Sequence, residues 1–316
     1  MKKYDILYIG TAIVDSIIKG FDPEPISASG FKAQSGSLNI GGEAVNGAIA
    51  AAKLGLKTGI LCHLGNDAAG SMIENGLSLY GVDTGCIIRS DEHPTPVTTM
   101  FVSEDGKRKS ITNSAHRYNF RPEKYSDLLK DTRAIVLGSL FRAPFNDPEV
   151  IRQIVAEADS QGVMVFADTK LPNFVKLGLS DISGSLSMID YITPNEDEGR
   201  YYTGKDDPEE MADVFLGTGV RNVIIKLGDK GCFYKGRDGK FSLPAFDIEA
   251  VDATGAGDNF LAGFASEILS GKVTEEALIF AGACGAICTT AVGAGTALTD
   301  RKQVEGFLKS RKPDLN

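Results

Sequence analysis

The 316-residue sequence predicts an α/β fold with a mostly parallel sheet, and three observations carry that prediction. Short apolar runs alternate with helix-period segments through most of the chain, the pattern of strands joined by crossover helices. Several runs are apolar without interruption, such as Ile135-Val136-Leu137, as expected of strands covered on both faces. The chain is also long enough to bury a large core, and its composition is that of an ordinary globular protein.

In chain order, strands are expected at residues 6–10, 59–64, 134–138, 164–167, 191–193 and 223–226. Helices are expected at 43–54, 68–80, 148–161, 195–203, 208–216, 257–269, 275–288 and 301–309. Two excursions, about 15–40 and 96–113, interrupt the alternation, and the second carries a hairpin-like turn at Glu104-Asp105-Gly106-Lys107. Both are expected to supply strands outside the main sheet and to meet as a small β-sheet lid over a site. The plainer alternative is an edge hairpin with no motion. With no internal repeat and no long linker, one domain spanning 1–316 with this inserted lid is the economical organisation.

The 33 basic against 42 acidic residues give a net charge of −9, which argues against a nucleic-acid footprint or an anionic membrane surface as partner. Five scattered cysteines without a C-x-x-C pair suggest neither a disulfide framework nor a zinc site. The opening Met1-Lys2-Lys3-Tyr4-Asp5 lacks an apolar export signal, so a reducing cytoplasm is expected. Residues 277–298 hold no charged side chain, yet they are rich in glycine, alanine and threonine, which gain little in lipid. A buried small-residue helix running into a loop explains them better, with Cys284 and Cys288 on one packed face.

Chemistry concentrates at residues 251–260. A short apolar approach ends at Val251, Asp252-Ala253-Thr254-Gly255-Ala256-Gly257 makes a turn of small residues, and Asp258-Asn259-Phe260 opens an apolar-periodic helix. Backbone amides at such a helix start are unsatisfied and sit at the positive end of the dipole, so the turn suits an anion. Small side chains let the main chain approach phosphate oxygens. Asp258 in the first turn would lie beside that phosphate, where a carboxylate can take the proton of an attacking hydroxyl. Asp is common in any first helical turn, so the argument rests on the whole string and its strand-to-helix setting.

That string, together with four others, resembles the ribokinase-like family of carbohydrate kinases, also called the phosphofructokinase-B type. The others are Gly41-Gly42-Glu43-Ala44-Val45-Asn46, Gly65-Asn66-Asp67-Ala68-Ala69-Gly70, Asn195-Glu196-Asp197-Glu198 and Lys226-Leu227-Gly228-Asp229-Lys230-Gly231, in the family's order. The resemblance implies a three-layer α/β/α domain with a β-sheet lid, binding ATP and Mg2+ and phosphorylating a hydroxyl of a small sugar-like alcohol. It implies Asp258 as general base and the amides of Gly255, Ala256 and Gly257 as an anion hole. Asn195 and Glu198 match an N-x-x-E motif that organises magnesium and its waters. Lys226 and Gly228 stand at the nucleotide-loop position, residues 291–296 match the wall around adenine, and carbonyls from Asp252 to Thr254 and that loop would hold a monovalent cation such as K+. Pairing through the lids would give a homodimer.

On the acceptor side the resemblance places Asp15, Gly41, Gly42 and Asn46 against substrate hydroxyls. The chain departs from ribokinase at Glu43, where ribokinase carries lysine, and at Gly138-Ser139-Leu140-Phe141-Arg142, which lacks ribokinase's glutamate. The acceptor is therefore expected not to be ribose. Arg142, Arg108-Lys109, His116-Arg117 and Lys170 could compensate an acidic or phosphorylated acceptor, or be plain surface charges. A nucleoside kinase of the same fold is the nearest alternative, using Phe21, Phe31, Phe101 or Tyr118 to stack on a base, and a non-catalytic nucleotide or sugar sensor is the more distant one. Two lookalike motifs fail: Asp206 replaces the hydroxyl that a G-x-x-x-x-G-K-[ST] loop needs, and Phe260 stands where a dinucleotide fingerprint needs glycine.

Overall fold

The computed structural model describes residues 2–20, 32–103, 107–113, 126–173 and 175–311. The strands are β1 Tyr4–Ile9, β2 Ile13–Lys19, β3 Ser35–Gly41, β4 Thr58–Leu61, β5 His63–Gly65, β6 Ile88–Ser90, β7 Val97–Val102, β8 Arg108–Thr112, β9 Thr132–Leu140, β10 Met164–Thr169, β11 Tyr191–Ile192, β12 Asn222–Lys226, β13 Cys232–Gly236 and β14 Gly239–Leu243. The helices are α1 Glu43–Lys53, α2 Ala68–Leu79, α3 Ser126–Lys130, α4 Pro148–Ser160, α5 Ser183–Leu186, α6 Glu196–Thr203, α7 Pro208–Gly217, α8 Ala256–Leu269, α9 Thr274–Thr289 and α10 Arg301–Ser310.

The central sheet runs β14-β13-β12-β11-β10-β9-β1-β4. From β4 to β12 neighbouring strands are parallel, and β13 and β14 close that edge as an antiparallel hairpin. Alternate residues of each central strand feed opposite cores. Ile6, Tyr8, Val136, Phe166 and Ile224 face the layer containing α1, α8 and α9, while Leu7, Ile135, Val165 and Val223 face the layer containing α4 and α7. A period-2 strand buried on both faces must be apolar throughout, which is why these segments read as unbroken runs.

Three features differ from the sequence reading. The run at 59–64 breaks at Cys62, so that β4 joins the main sheet while β5 pairs with β6. An unbroken apolar run cannot reveal that break. The β13–β14 hairpin was not expected either, because each strand has a short apolar core interrupted by Lys235-Gly236-Arg237-Asp238-Gly239. The short helices α3 and α5 were likewise not expected, being too brief to show a period.

A second sheet, β3-β2-β7-β8, stands apart from the first. Its β2 and β3 are antiparallel, and β2 pairs in parallel with β7. The segment 277–298 resolves into α9 and a following loop, with Cys284 and Cys288 both buried. No helix among the described residues is long and apolar enough to cross a membrane.

The order of strands sets the location of the site. From β1 the chain first adds β4 on one side and later β9 on the other, so the carboxyl ends of β1 and β9 mark the switch where a crevice opens in doubly wound sheets. The ends of β9, β10 and β12 and the starts of α1 and α8 supply the groups described next.

Candidate active site

Asp252 shapes the turn before α8. Its Oδ1 accepts from Thr254 N (3.0 Å) and Thr254 Oγ1 (2.7 Å), and its Oδ2 accepts from Gly293 N (3.0 Å), tying the turn to the loop after α9. Gly255 then takes φ 77°, and a Cβ there would collide with Ala294, so only glycine serves this left-handed N-cap. The Ala256 amide donates to Ala253 O at 3.2 Å, whereas those of Gly255 and Gly257 find no acceptor among the described residues. They remain at the positive end of a fourteen-residue helix. Asn259 holds the same loop by donating Nδ2 to Gly255 O (2.8 Å) and Ala294 O (2.9 Å).

Asp258, half-buried in the first turn of α8, accepts from Asn46 Nδ2 at 2.8 Å, so the helix that follows Gly41-Gly42 touches the start of α8 directly. Burial pushes the Asp258 carboxyl up to about 7, helped by the charges of Glu43 and Asp168 and opposed by Asn46 and Lys170. Neither Glu43 nor Asp168 was singled out from the sequence as a site residue, yet both lie close enough to act on Asp258.

Asp168, at the end of β10, binds Lys226 Nζ at 2.6 Å and accepts from Thr193 Oγ1 at 2.8 Å. This ion pair is largely buried, and Lys226 Nζ lies 3.2 Å from where a Cβ on Gly257 would stand. The lysine thus reaches the start of α8. Gly228 begins the short turn that follows β12. Asn195 and Glu198 cap α6 reciprocally: Glu198 N donates to Asn195 Oδ1 (2.9 Å) and Asn195 N to Glu198 Oε2 (3.0 Å). Thr169 Oγ1 also donates to Glu198 Oε2, at 2.8 Å, and burial raises the Glu198 carboxyl above its ordinary value. Glu198 is only 4% exposed, a depth that carboxylates seldom reach without hydrogen-bond partners.

On the acceptor side, a Cβ on Gly41 would run into Asp15 Oδ2, and Gly42 turns the chain into α1 at φ 97°. Burial and the Glu43 charge lift Asp15 to about 6. Lys170 binds Glu43 at 3.1 Å. Burial alone would push Glu43 upward, but Lys170, the Glu43 backbone N–H and the Ser139 hydroxyl together outweigh it and hold the carboxyl below its ordinary value. Arg142 donates Nε to Leu171 O at 2.6 Å. His116 and Arg117 lie outside the described residues, as do Phe21, Phe31 and Tyr118, while Lys109 is exposed on β8 and Phe101 stands on β7.

Two further features were not legible in the sequence. Ser139 and Phe141 adopt φ 66° and 77° where β9 ends, a conformation that costs non-glycine residues about 1–3 kcal/mol each. Hydrogen bonds from Phe141 N to Phe145 O and from Arg142 N to Ser139 O, with the Phe141 ring stacked on Tyr202, hold the turn against that strain. The buried hydroxyl of Tyr8 has no hydrogen-bond partner among the described residues, and burial, then the charges of Asp258 and Asp168, raise its pKa.

No cluster of three or more His, Cys, Asp or Glu able to cage a metal occurs among the described residues. Magnesium, which keeps several waters and borrows phosphate oxygens, fits Asn195 and Glu198 as an outer, water-mediated site. In the later loop Ala294 O accepts from Asn259 and Gly295 O from Lys53 Nζ at 2.6 Å, and Lys53 Nζ also reaches Leu298 O at 2.7 Å.

The chain has known relatives in sequence and in fold. The chain is 28% identical to a ribokinase of Haemophilus influenzae over 87% of this chain and 89% of that one. It is 24% identical to an ATP-dependent 6-phosphofructokinase of Thermoanaerobacterium thermosaccharolyticum over 98% and 96%. The structure of Arabidopsis thaliana ribokinase complexed with ribose and ATP superposes with a TM-score of 0.86 at 25% identity, covering 97% of this chain and 99% of that one. The fold is ribokinase-like, and because residues 5–301 match the pfkB family carbohydrate kinase profile, the chain belongs to that family of carbohydrate kinases.

Proposed function

We propose that this chain transfers the γ-phosphoryl group of ATP to a hydroxyl of a small sugar or sugar derivative, with Asp258 as general base. The observation that carries the reading is the half-buried Asp258 carboxylate. It lies beside free amides at a helix start and is oriented by Asn46 at 2.8 Å. As the acceptor oxygen bonds to the γ-phosphorus, the bond from that phosphorus to the β-phosphate bridging oxygen breaks. The hydroxyl proton passes to Asp258, and ADP leaves with its new negative charge. The amides of Gly255 and Gly257, with that of Ala256 once its turn bond to Ala253 opens, form the anion hole for charge on the transferred group. Lys226, held by Asp168, and Gly228 lie on the nucleotide side with the 291–296 loop. Magnesium, held through water by Asn195 and Glu198, would neutralise phosphate charge.

Asp15, Gly41, Gly42 and Asn46 bind the acceptor in this reading. The relatives' names span a free sugar and a sugar phosphate, so the acceptor class has to come from this chain's own residues. We place the protein in the cytoplasm as a single 1–316 domain whose second sheet serves as lid and homodimer contact. Leu38 on β3 and Ile111 on β8, 61% and 65% exposed, favour such pairing.

Asp258→Asn should lower turnover by at least 1,000-fold while leaving ATP affinity within about threefold, measured by ADP release and by nucleotide titration. Turnover near that of the unaltered protein would sink the assignment.

A further inference from the structure

We propose that the acceptor subsite takes a polyol bearing no carboxylate or phosphate, and that the Glu43–Lys170 ion pair is the device that sets this choice. The inference rests on the phosphorylation reading above. It follows from counting charges where the acceptor must lie. Asp258 marks the reacting end through its contact with Asn46. Asp15 packs against Gly41, and Glu43 follows two residues later at the start of α1. Glu43 acts on both of the others, raising Asp15 and Asp258.

Against these three stands the Lys170 ammonium, and it is already bound to Glu43 at 3.1 Å. The Glu43 and Lys170 side chains are 24% and 38% exposed, so an acceptor can reach both. Arg142, which the sequence offered as a second counter-charge, donates its Nε to the main chain at Leu171. An anionic acceptor would therefore meet, among the described residues, three carboxylates against a lysine that Glu43 already pairs and an arginine that the main chain holds at Leu171, a like-charge encounter that discriminates strongly. A neutral polyol meets the reverse. Its hydroxyls can donate to Asp15 and Glu43 and accept from Lys170 and Asn46, so each polar group has a partner. Glu43 acts here as a specificity residue: where a lysine at this position would add a positive charge, the glutamate removes the one that Lys170 brings.

The test is a matched panel of neutral sugars and inositols, each beside its own acid or monophosphate, with ADP release measured at pH 8 and melting temperature recorded for each compound. Neutral members should exceed their anionic counterparts at least 100-fold in kcat/KM. Glu43→Gln frees the Lys170 ammonium at nearly constant volume and should shrink that ratio at least tenfold. Lys170→Met, which leaves Glu43 unpaired, should widen it and serves if the first variant folds poorly. Preference for the anionic members, or a ratio unmoved by either variant, overturns the inference. A protein that binds ATP yet neither turns over nor is stabilised by any compound overturns the phosphorylation reading instead.

Discussion

Asp258 and its neighbours illustrate how much a single carboxyl depends on what surrounds it. In water it would be ionised far below neutrality, but burial with Glu43 and Asp168 nearby lifts it to about 7, close to the best position for a base at neutral pH. A base must be deprotonated to act, so kcat/KM in the acceptor should climb as pH rises through about 7 and level off above it. Glu43→Gln removes one raising charge and frees Lys170, and both changes lower the Asp258 pKa. The rising limb of the pH profile should therefore move to lower pH in that variant, and a limb that stays put would show that Glu43 does not act on Asp258. The Glu43–Lys170 pair, being partly exposed, stabilises the fold by no more than about 1 kcal/mol, so stability does not explain it. At this scale Asp258 was legible because its motif is contiguous. Glu43, Asp168 and Lys170 were not legible as one electrostatic group, since they arrive from α1 and from the end of β10.

At the scale of elements, α1 joins the two halves of the site. Its first turn brings Asn46 to Asp258, and its last residue, Lys53, donates to Gly295 O and Leu298 O while lying 4.5 Å over the Tyr80 ring. Burial lowers the Lys53 pKa from its ordinary value, as expected of an ammonium bound to carbonyls rather than to a carboxylate. Such charge-assisted hydrogen bonds contribute about 1.5–3 kcal/mol each. Lys53→Met should loosen the loop after α9, raising KM for ATP by about tenfold or more with acceptor KM changed less than threefold. Equal changes in both would assign Lys53 a general packing role. The small-residue turn before α8 could be read directly because a left-handed N-cap pressed against Ala294 admits only glycine. Lys53 carried no such signal, since a lysine near a helix C-terminus is ordinary.

For the whole molecule, the parallel sheet places the ends of β9, β10 and β12 side by side, with the starts of α1 and α8 beside them. The second sheet adds Asp15 and Gly41 from β2 and β3. If the lids pair, charges on their exposed apolar residues should separate the subunits. Leu38→Glu with Ile111→Glu should convert a dimer to a monomer by light scattering, with the melting temperature of the main body little changed. A dimer that persists would move the contact elsewhere.

Unbroken apolar runs revealed the central strands because burial on both faces leaves no room for polar residues. The antiparallel edge at β13 and β14 stayed hidden because half-exposed strands carry a weaker pattern. By itself the sequence determined the α/β class, the order of the motifs and the small-residue turn that opens a helix at Asp258, all of which depend on residues adjacent in the chain. Only the tertiary structure decided that Lys226 belongs to Asp168 and Lys170 to Glu43. Coulomb interaction depends on distance through space, and only folding brings those charges within about 3 Å of each other.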